Sequence, residues 1–435
     1  MDKAKKTASE FLGKYRMDYR DIDIKENVKV FLDEMQRGLE GQKSTLDMIP
    51  TFISVISDIP ADKPVVVIDA GGTNFRCATV RFNKQKEPII ENLKKHMMPG
   101  VQSEVSKDEF FEAIADYIRD IAGASEKIGF CFSYPTEILP SKDGKLIRFS
   151  KEIKIKDVQG QIIGQNLNLA MGKIGLGGNK RIVILNDTVA SLLGGVRHNN
   201  RIFSGYIGFI LGTGTNCCYV EKNSNIKKRN DLDLSGSQII NTESGGFNRC
   251  KMGQLDVLFD KSTNNPGAQK FEKMISGAYL GSLCLLTVQT ASGDGLFSKN
   301  TADAVLQIKE LGTKQVNDFM YHPYGDNVLA GICKKGKQRD VRILYHIIDR
   351  LIERAAKLTA INLSVMAIKS DCDTSPDRPI CIVAEGTTFY SLKGLKSRVE
   401  FYLKQYLEEE LEIYHDIISV ENATLIGAAI AGLTN

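Results

Sequence analysis

Hydrophobic and polar positions along this chain follow two periods. Short apolar runs at 65–68, 128–132, 181–185, 206–211 and 379–384 read as buried strands, because consecutive apolar residues fill both faces of a sheet. Each run stops at a cluster of Gly, Ser, Thr, Asn, Asp or Glu. Between the strands, apolar residues recur at helical spacing. Val28, Phe31, Leu32, Met35 and Leu39 mark one helix face, broken at Gly38 and Gly41, and 108–122, 301–311, 341–369 and 392–411 carry the same period. Strands alternating with helices predict an α/β chain.

The strand ends carry the chemistry. The run 181–185 stops at Asn186 and Asp187, with Thr188 the expected N-cap of a helix that ends at Gly194 and Gly195. In open α/β sheets ligands bind at that edge. On this stretch alone, two readings of Asp187 stand level: a carboxylate facing a ligand, and one that only caps its helix. The first run ends in Asp69-Ala70-Gly71-Gly72-Thr73-Asn74 and returns as a strand over 75–82. Adjacent glycines let backbone N–H groups approach closely, and Thr73 and Asn74 add donors, which suits a phosphate. Asp69 could hold a hydrated Mg²⁺. No Lys-Ser or Lys-Thr follows, so this is not a P-loop, and a single such turn is also what an ordinary hairpin offers.

The same design returns about 140 residues later, as a strand over 206–211, the turn Gly212-Thr213-Gly214-Thr215-Asn216 and a strand over 217–220. A duplicated domain follows, with two glycine turns facing each other across a cleft and cradling the phosphates of a nucleotide. Glu385-Gly386-Thr387-Thr388 is a third such turn. Ser133 lies where the strand 128–132 runs into a loop, since Pro135 turns Tyr134 away from helix. Ser150 and Lys151 follow at the same sheet edge. Glu243, beside two glycines, is either a second carboxylate facing the cleft or a solvated loop residue. The polar stretch 221–237 is expected to be an exposed loop, and 425–433 a small-residue helix.

Composition narrows the class. At 435 residues the chain implies two domains, and 42% hydrophobic with 25% charged residues is the profile of a globular protein. The +4 net charge, from 57 basic and 53 acidic residues, is too weak a bias for nucleic acid. No apolar run reaches the length of a membrane span. The first fifteen residues are basic without an apolar segment, which argues against a secretory signal and makes the cytoplasm the expected location. Nine scattered cysteines without a Cys-x-x-Cys pair, and only five histidines, argue for reduced packing thiols rather than a disulfide framework or zinc site.

Together these segments resemble the hexokinase family of the sugar kinase, heat-shock ATPase and actin superfold. Asp69-Ala70-Gly71-Gly72-Thr73-Asn74-Phe75-Arg76 is similar to its first phosphate motif, and the segment 211–219 to its second. The segments 132–135, 150–151, 186–188, 241–243 and 272–277 are similar to its sugar-binding segments, in order. The resemblance spans nearly the whole chain. It implies a two-lobed actin-like ATPase (ribonuclease H-like) fold of duplicated βββαβα-type domains. The small lobe would be 64–187 with a C-terminal helix at 422–435, and the large lobe 1–63 with 188–421.

The implied reaction is transfer of the γ-phosphate of MgATP to the 6-hydroxyl of glucose, mannose or fructose, with the lobes closing on the sugar. Asp187 would be the base, assisted by Lys151. Ser133, Ser150, Lys151, Asn186, Asn216, Glu243 and position 282 would hold the sugar. Asp69 (with Mg²⁺, through water), Gly71, Gly72, Thr73, Asn74, Arg76, Gly212, Thr213, Gly214 and Thr215 would surround metal and phosphates, with Gly386 and Thr387 near the nucleoside. A monomer or homodimer is expected, with no membrane or nucleic-acid partner. Ser282 stands where the family usually has Glu, which would relax selectivity at carbons 1 and 2. The segment 421–427 departs from the family's Asp-Gly-Ser-Gly-Lys-Gly. A weakly catalytic sugar sensor of the same shape is the alternative.

Overall fold

The computed structural model describes residues 3–55, 58–149, 153–196, 201–334 and 336–435. In chain order its strands are β1 (Ile49–Pro50), β2 (Val65–Gly71), β3 (Asn74–Phe82), β4 (Pro88–Met97), β5 (Lys127–Phe132), β6 (Thr136–Ile138), β7 (Gly144–Leu146), β8 (Arg181–Leu185), β9 (Gly205–Leu211), β10 (Thr215–Lys222), β11 (Ser237–Asn241), β12 (Ile380–Glu385) and β13 (His415–Ile418). The first sheet has the order β4-β3-β2-β5-β8. Its first three strands form an antiparallel meander, and β5 and β8 then join parallel to β2. The second sheet repeats the plan as β11-β10-β9-β12-β13, with β1 added at its edge. Here too a meander is followed by parallel β12 and β13. Two lobes built on one strand plan are what the repeated glycine turns led us to expect.

The largely buried runs of β2, β5, β8, β9 and β12 explain why the central strands are apolar on both faces: helices cover them. The helix Gln338–Lys369 backs the second sheet, and buried pairs Arg350 with Asp18 and Arg354 with Asp256 tie it to the N-terminal segment and the helix Gln254–Ser262. Small residues let the helix Ala423–Thr434 cross both lobes at backbone contact. A Cβ on Gly427 would lie 1.8 Å from the Ala190 carbonyl oxygen, and one on Gly129 would lie 1.8 Å from that of Ala428. Among the described residues no helix is long and apolar enough to cross a membrane.

Several boundaries differ from the sequence expectation. The helix at 108 ends at Tyr117, that at 301 starts at Lys299 and ends at Leu306, and the one expected from 392 starts at Leu395 and opens into a π turn at Lys404–Glu408. The polar stretch after 220 is not all exposed loop. Strand β10 continues to Lys222, and Glu221 is buried because the Tyr219 hydroxyl and Asn225 Nδ2 each donate to its carboxylate at 2.7 Å. All nine cysteines lie among the described residues, free, and all but Cys372 are buried.

Candidate active site

Strand β8 delivers Asn186 and Asp187 to the edge of the first sheet. The cap of the following helix, Asp187–Gly195, is Asn186 rather than Thr188. Asn186 has extended backbone, and its Oδ1 accepts from Thr188 N at 3.0 Å and from the Thr188 hydroxyl at 2.6 Å. Thr188 is fully buried in the first turn, so its hydroxyl serves the cap as a donor. The Asp187 carboxylate accepts from Thr188 N at 2.8 Å and from the Ser133 hydroxyl. It is half-buried, and burial, reinforced by the nearby Asp69 charge, pushes it up to about 6.

Beside it stands a polar cluster from the second sheet. Asn216 Nδ2 donates to Asn241 Oδ1 at 2.8 Å, to Glu243 Oε1 at 3.2 Å and, more weakly, towards Asn186 Oδ1 at 3.4 Å. Asn241 Nδ2 also donates to Glu243 Oε1 at 2.8 Å. Glu243 adopts a left-handed backbone, φ 54° and ψ 48°. Burial first, then the charges of Asp47 and Asp187, push its carboxyl up to about 7. Of the two readings of Glu243, the placement favours the cleft.

The first glycine turn is braced from beneath. Ser133 N donates to Ala70 O at 3.0 Å, and the Tyr134 hydroxyl to Gly72 O at 2.7 Å. Gly72, Thr73 and Asn74 are exposed, with open space above Gly72. Asp69 is buried, and its Oδ2 accepts from Arg76 Nη2 at 2.5 Å and Nε at 3.0 Å. The second turn is braced by the helix Lys270–Ile275: Glu272 Oε2 accepts from Thr215 N at 2.9 Å. The third turn sits on the second, the Thr388 hydroxyl donating to Gly212 O at 2.8 Å. It also meets the first, for Arg76 and Asp69 act electrostatically on Glu385, whose carboxyl burial pushes up to about 7. Gly386 and the exposed Thr387 stand at this junction.

Ser150 and Lys151 lie outside the described residues. Ser282 is exposed in the first turn of the helix Leu280–Gly293, and among the described residues no hydrogen bond joins it to the cluster. What the expectation missed is Glu272, a carboxylate set against the second glycine turn and Gly245. Its carboxylate packs against Gly214, its Cβ lies 3.2 Å from where a Gly245 side chain would start, and burial raises its pKa. Asn241 was likewise absent from the expected set, although both residues lie in sugar-site segments that the resemblance marked. A cavity of about 370 Å³ opens at the opposite end of β8, at Ser141, Asp143, Lys180 and Arg181, and takes no part in this cluster.

Nucleotide and metal fit these residues. Exposed glycine and threonine backbone at two turns is suited to phosphate oxygens. Among the described residues no three metal-ligating side chains converge, so a magnesium ion beside Asp69 would take most of its ligands from water and phosphate.

Hexokinase family profiles match residues 10–196 and 206–434. Hexokinase-7 of Oryza sativa subsp. japonica is 33% identical, over 91% of this chain and 90% of its own length. Hexokinase-1 of Schizosaccharomyces pombe is 27% identical, over 92% and 85%. A Schistosoma mansoni hexokinase, solved in complex with glucose, superposes with a TM-score of 0.80 over 99% of both chains at 21% identity, which establishes the two-lobed actin-like ATPase fold. With the two profiles together covering most of its length, the chain belongs to the hexokinase family of ATP-dependent hexose kinases.

Proposed function

We propose that this cleft phosphorylates the 6-hydroxyl of a hexose, with Asp187 taking the hydroxyl proton. One observation carries the reading: Asp187 is close enough to act electrostatically on both Asp69 of the phosphate turn and Glu243 of the polar cluster, and its neighbour Asn186 meets Asn216 of that cluster at 3.4 Å. A base between a phosphate site and a hydroxyl-binding site is the arrangement that phosphoryl transfer to an alcohol needs. Carboxyl groups near 6 are ionised at neutral pH yet basic enough to accept a proton.

Asn186, Asn216 and Glu243 are assigned to the sugar hydroxyls, and Ser133 to the sugar and to Asp187. Ser150 and Lys151 join them on the sequence resemblance alone. Selectivity at carbons 1 and 2 among glucose, mannose and fructose is assigned to Glu272 rather than to position 282, because Glu272 is a charged acceptor bonded to Thr215 N, next in the chain to Asn216 of the cluster. Gly71, Gly72, Thr73, Asn74, Gly212, Thr213, Gly214 and Thr215 would hold the phosphates, with Asp69 and Arg76 at the metal. Gly386 and Thr387 would meet the nucleoside. MgATP, when bound, supplies the phosphoryl group and screens its charge. Closure of the lobes, taken as 64–187 with 422–435 against the remainder, would exclude water from it.

ADP release by purified protein with MgATP and a hexose panel tests this. Hexose-dependent ADP is expected. Calorimetric hexose binding with no ADP would replace the kinase by the sensor.

A further inference from the structure

The Asp69–Arg76 pair is held by a residue from the far end of the chain. Thr424, in the first turn of the helix Ala423–Thr434, donates its hydroxyl to Asp69 Oδ2 at 3.0 Å, and Arg76 Nη2 donates back to that hydroxyl at 2.9 Å. Arg76 Nη1 reaches Asn422 Oδ1 at 3.4 Å, from a left-handed residue at φ 57°. Three donors therefore converge on Asp69 Oδ2: Arg76 Nε, Arg76 Nη2 and the Thr424 hydroxyl. The Cys131 thiol, a weak donor, also faces this carboxylate.

This geometry is unusual for an arginine and a carboxylate, which left alone favour two parallel bonds, one to each oxygen. Here both guanidinium nitrogens sit on one oxygen. The Thr424 hydroxyl, which bonds both partners at once, closes this ring. The same helix presses on the Asp187 helix at Ala190.

We propose that Thr424 is a positioning residue for the nucleotide site: its hydroxyl holds Arg76 to one edge of Asp69, leaving Oδ1 and the outer guanidinium edge turned to the phosphates and their metal. The proposal rests on the kinase reading. Without the hydroxyl, the guanidinium swings into the two-oxygen arrangement and covers the edge the metal's water shell needs.

The test compares Thr424→Val and Thr424→Ser in the full chain, measuring affinity for a fluorescent ATP analogue with Mg²⁺, hexose affinity by calorimetry, thermal stability, and the KM values for MgATP and hexose. Valine is expected to weaken nucleotide binding about tenfold, the cost of one hydrogen bond to a charged group, while hexose affinity stays within about twofold. Serine is expected to restore nucleotide affinity to within about twofold. In an Asp69→Asn background the valine change should add nothing, as coupled partners require. Wild-type nucleotide affinity in the valine variant overturns the proposal. So does a parallel fall of hexose affinity, nucleotide affinity and melting temperature that serine does not rescue. Failure of the wild-type protein to turn over any hexose counts against the kinase reading alone, since nucleotide affinity still decides the role of Thr424.

Discussion

Asn216 Nδ2 stands 3.2 Å from Glu243 Oε1, so a carboxamide on β10 fixes a carboxylate that leaves β11 in a left-handed conformation. Such backbone costs on the order of 1–3 kcal/mol and persists where surrounding contacts impose it. The fold also half-buries the carboxylate near other acids, Asp47 and Asp187, which Arg148 offsets only in part. Neither feature stabilises the empty protein, and both make sense if a polyhydroxylated ligand supplies the missing donors.

Glu243→Gln should therefore separate function from stability. Loss of a charged acceptor is expected to raise the hexose KM roughly ten- to a hundredfold. The apparent Tm should rise at pH 8, because a half-buried, repelled charge is removed. A fall in Tm with an unchanged KM would place Glu243 in the scaffold.

The pH dependence of activity and of stability should run in opposite directions. Asp187 and Glu243 are raised to about 6 and about 7, so these two groups hold more protons in the folded chain than in the unfolded one across roughly pH 4 to 7. Their contribution to stability falls as pH rises through that window and levels off above it. Activity should climb with pH between about 6 and 7 as the base ionises. Melting curves of wild type and Glu243→Gln, diverging from pH 5 to 8, and a pH profile of kcat/KM check the two signs.

Hexose choice should follow Glu272 and ignore position 282. Glu272→Gln is expected to lower hexose affinity by about tenfold and to change the ranking of glucose, mannose and fructose. Ser282→Glu, on an exposed face, should leave both within about twofold. The reverse pattern would return the selectivity to position 282.

Gly386 carries φ 113°, and a Cβ there would lie 2.3 Å from the Leu211 carbonyl oxygen. Gly386→Ala should cost about 2 kcal/mol or more and loosen the second glycine turn. Nucleotide affinity is then expected to fall further than hexose affinity, which paired titrations of the variant would show.

Much of this was readable in the residues. Buried central strands and tight turns write local signals, so β2, β8 and β9 and both glycine turns were placed by apolar runs ending in Gly, Thr and Asn. Helix ends were less legible, because Asn186 and Thr188 are both good caps, and only the extended backbone of Asn186 and its bond from Thr188 N decide between them. Glu221 and Glu272 were missed for a common reason. A lone glutamate in a polar stretch or on a helix reads as solvated until its partners, Tyr219 and Asn225 in one case and Thr215 N in the other, arrive from elsewhere. The bond from Thr424 to Asp69 spans 355 positions and leaves no local pattern at all.

The central claim is that Asp187 removes the proton from a bound hexose, and Asp187→Asn tests it most directly, since asparagine keeps the shape and the hydrogen bond from Thr188 N. The measurement is hexose-dependent ADP formation alongside hexose affinity. The account expects kcat to fall by about 10² to 10⁴ while hexose binding stays within a few fold. Turnover at the wild-type rate in that variant would contradict it.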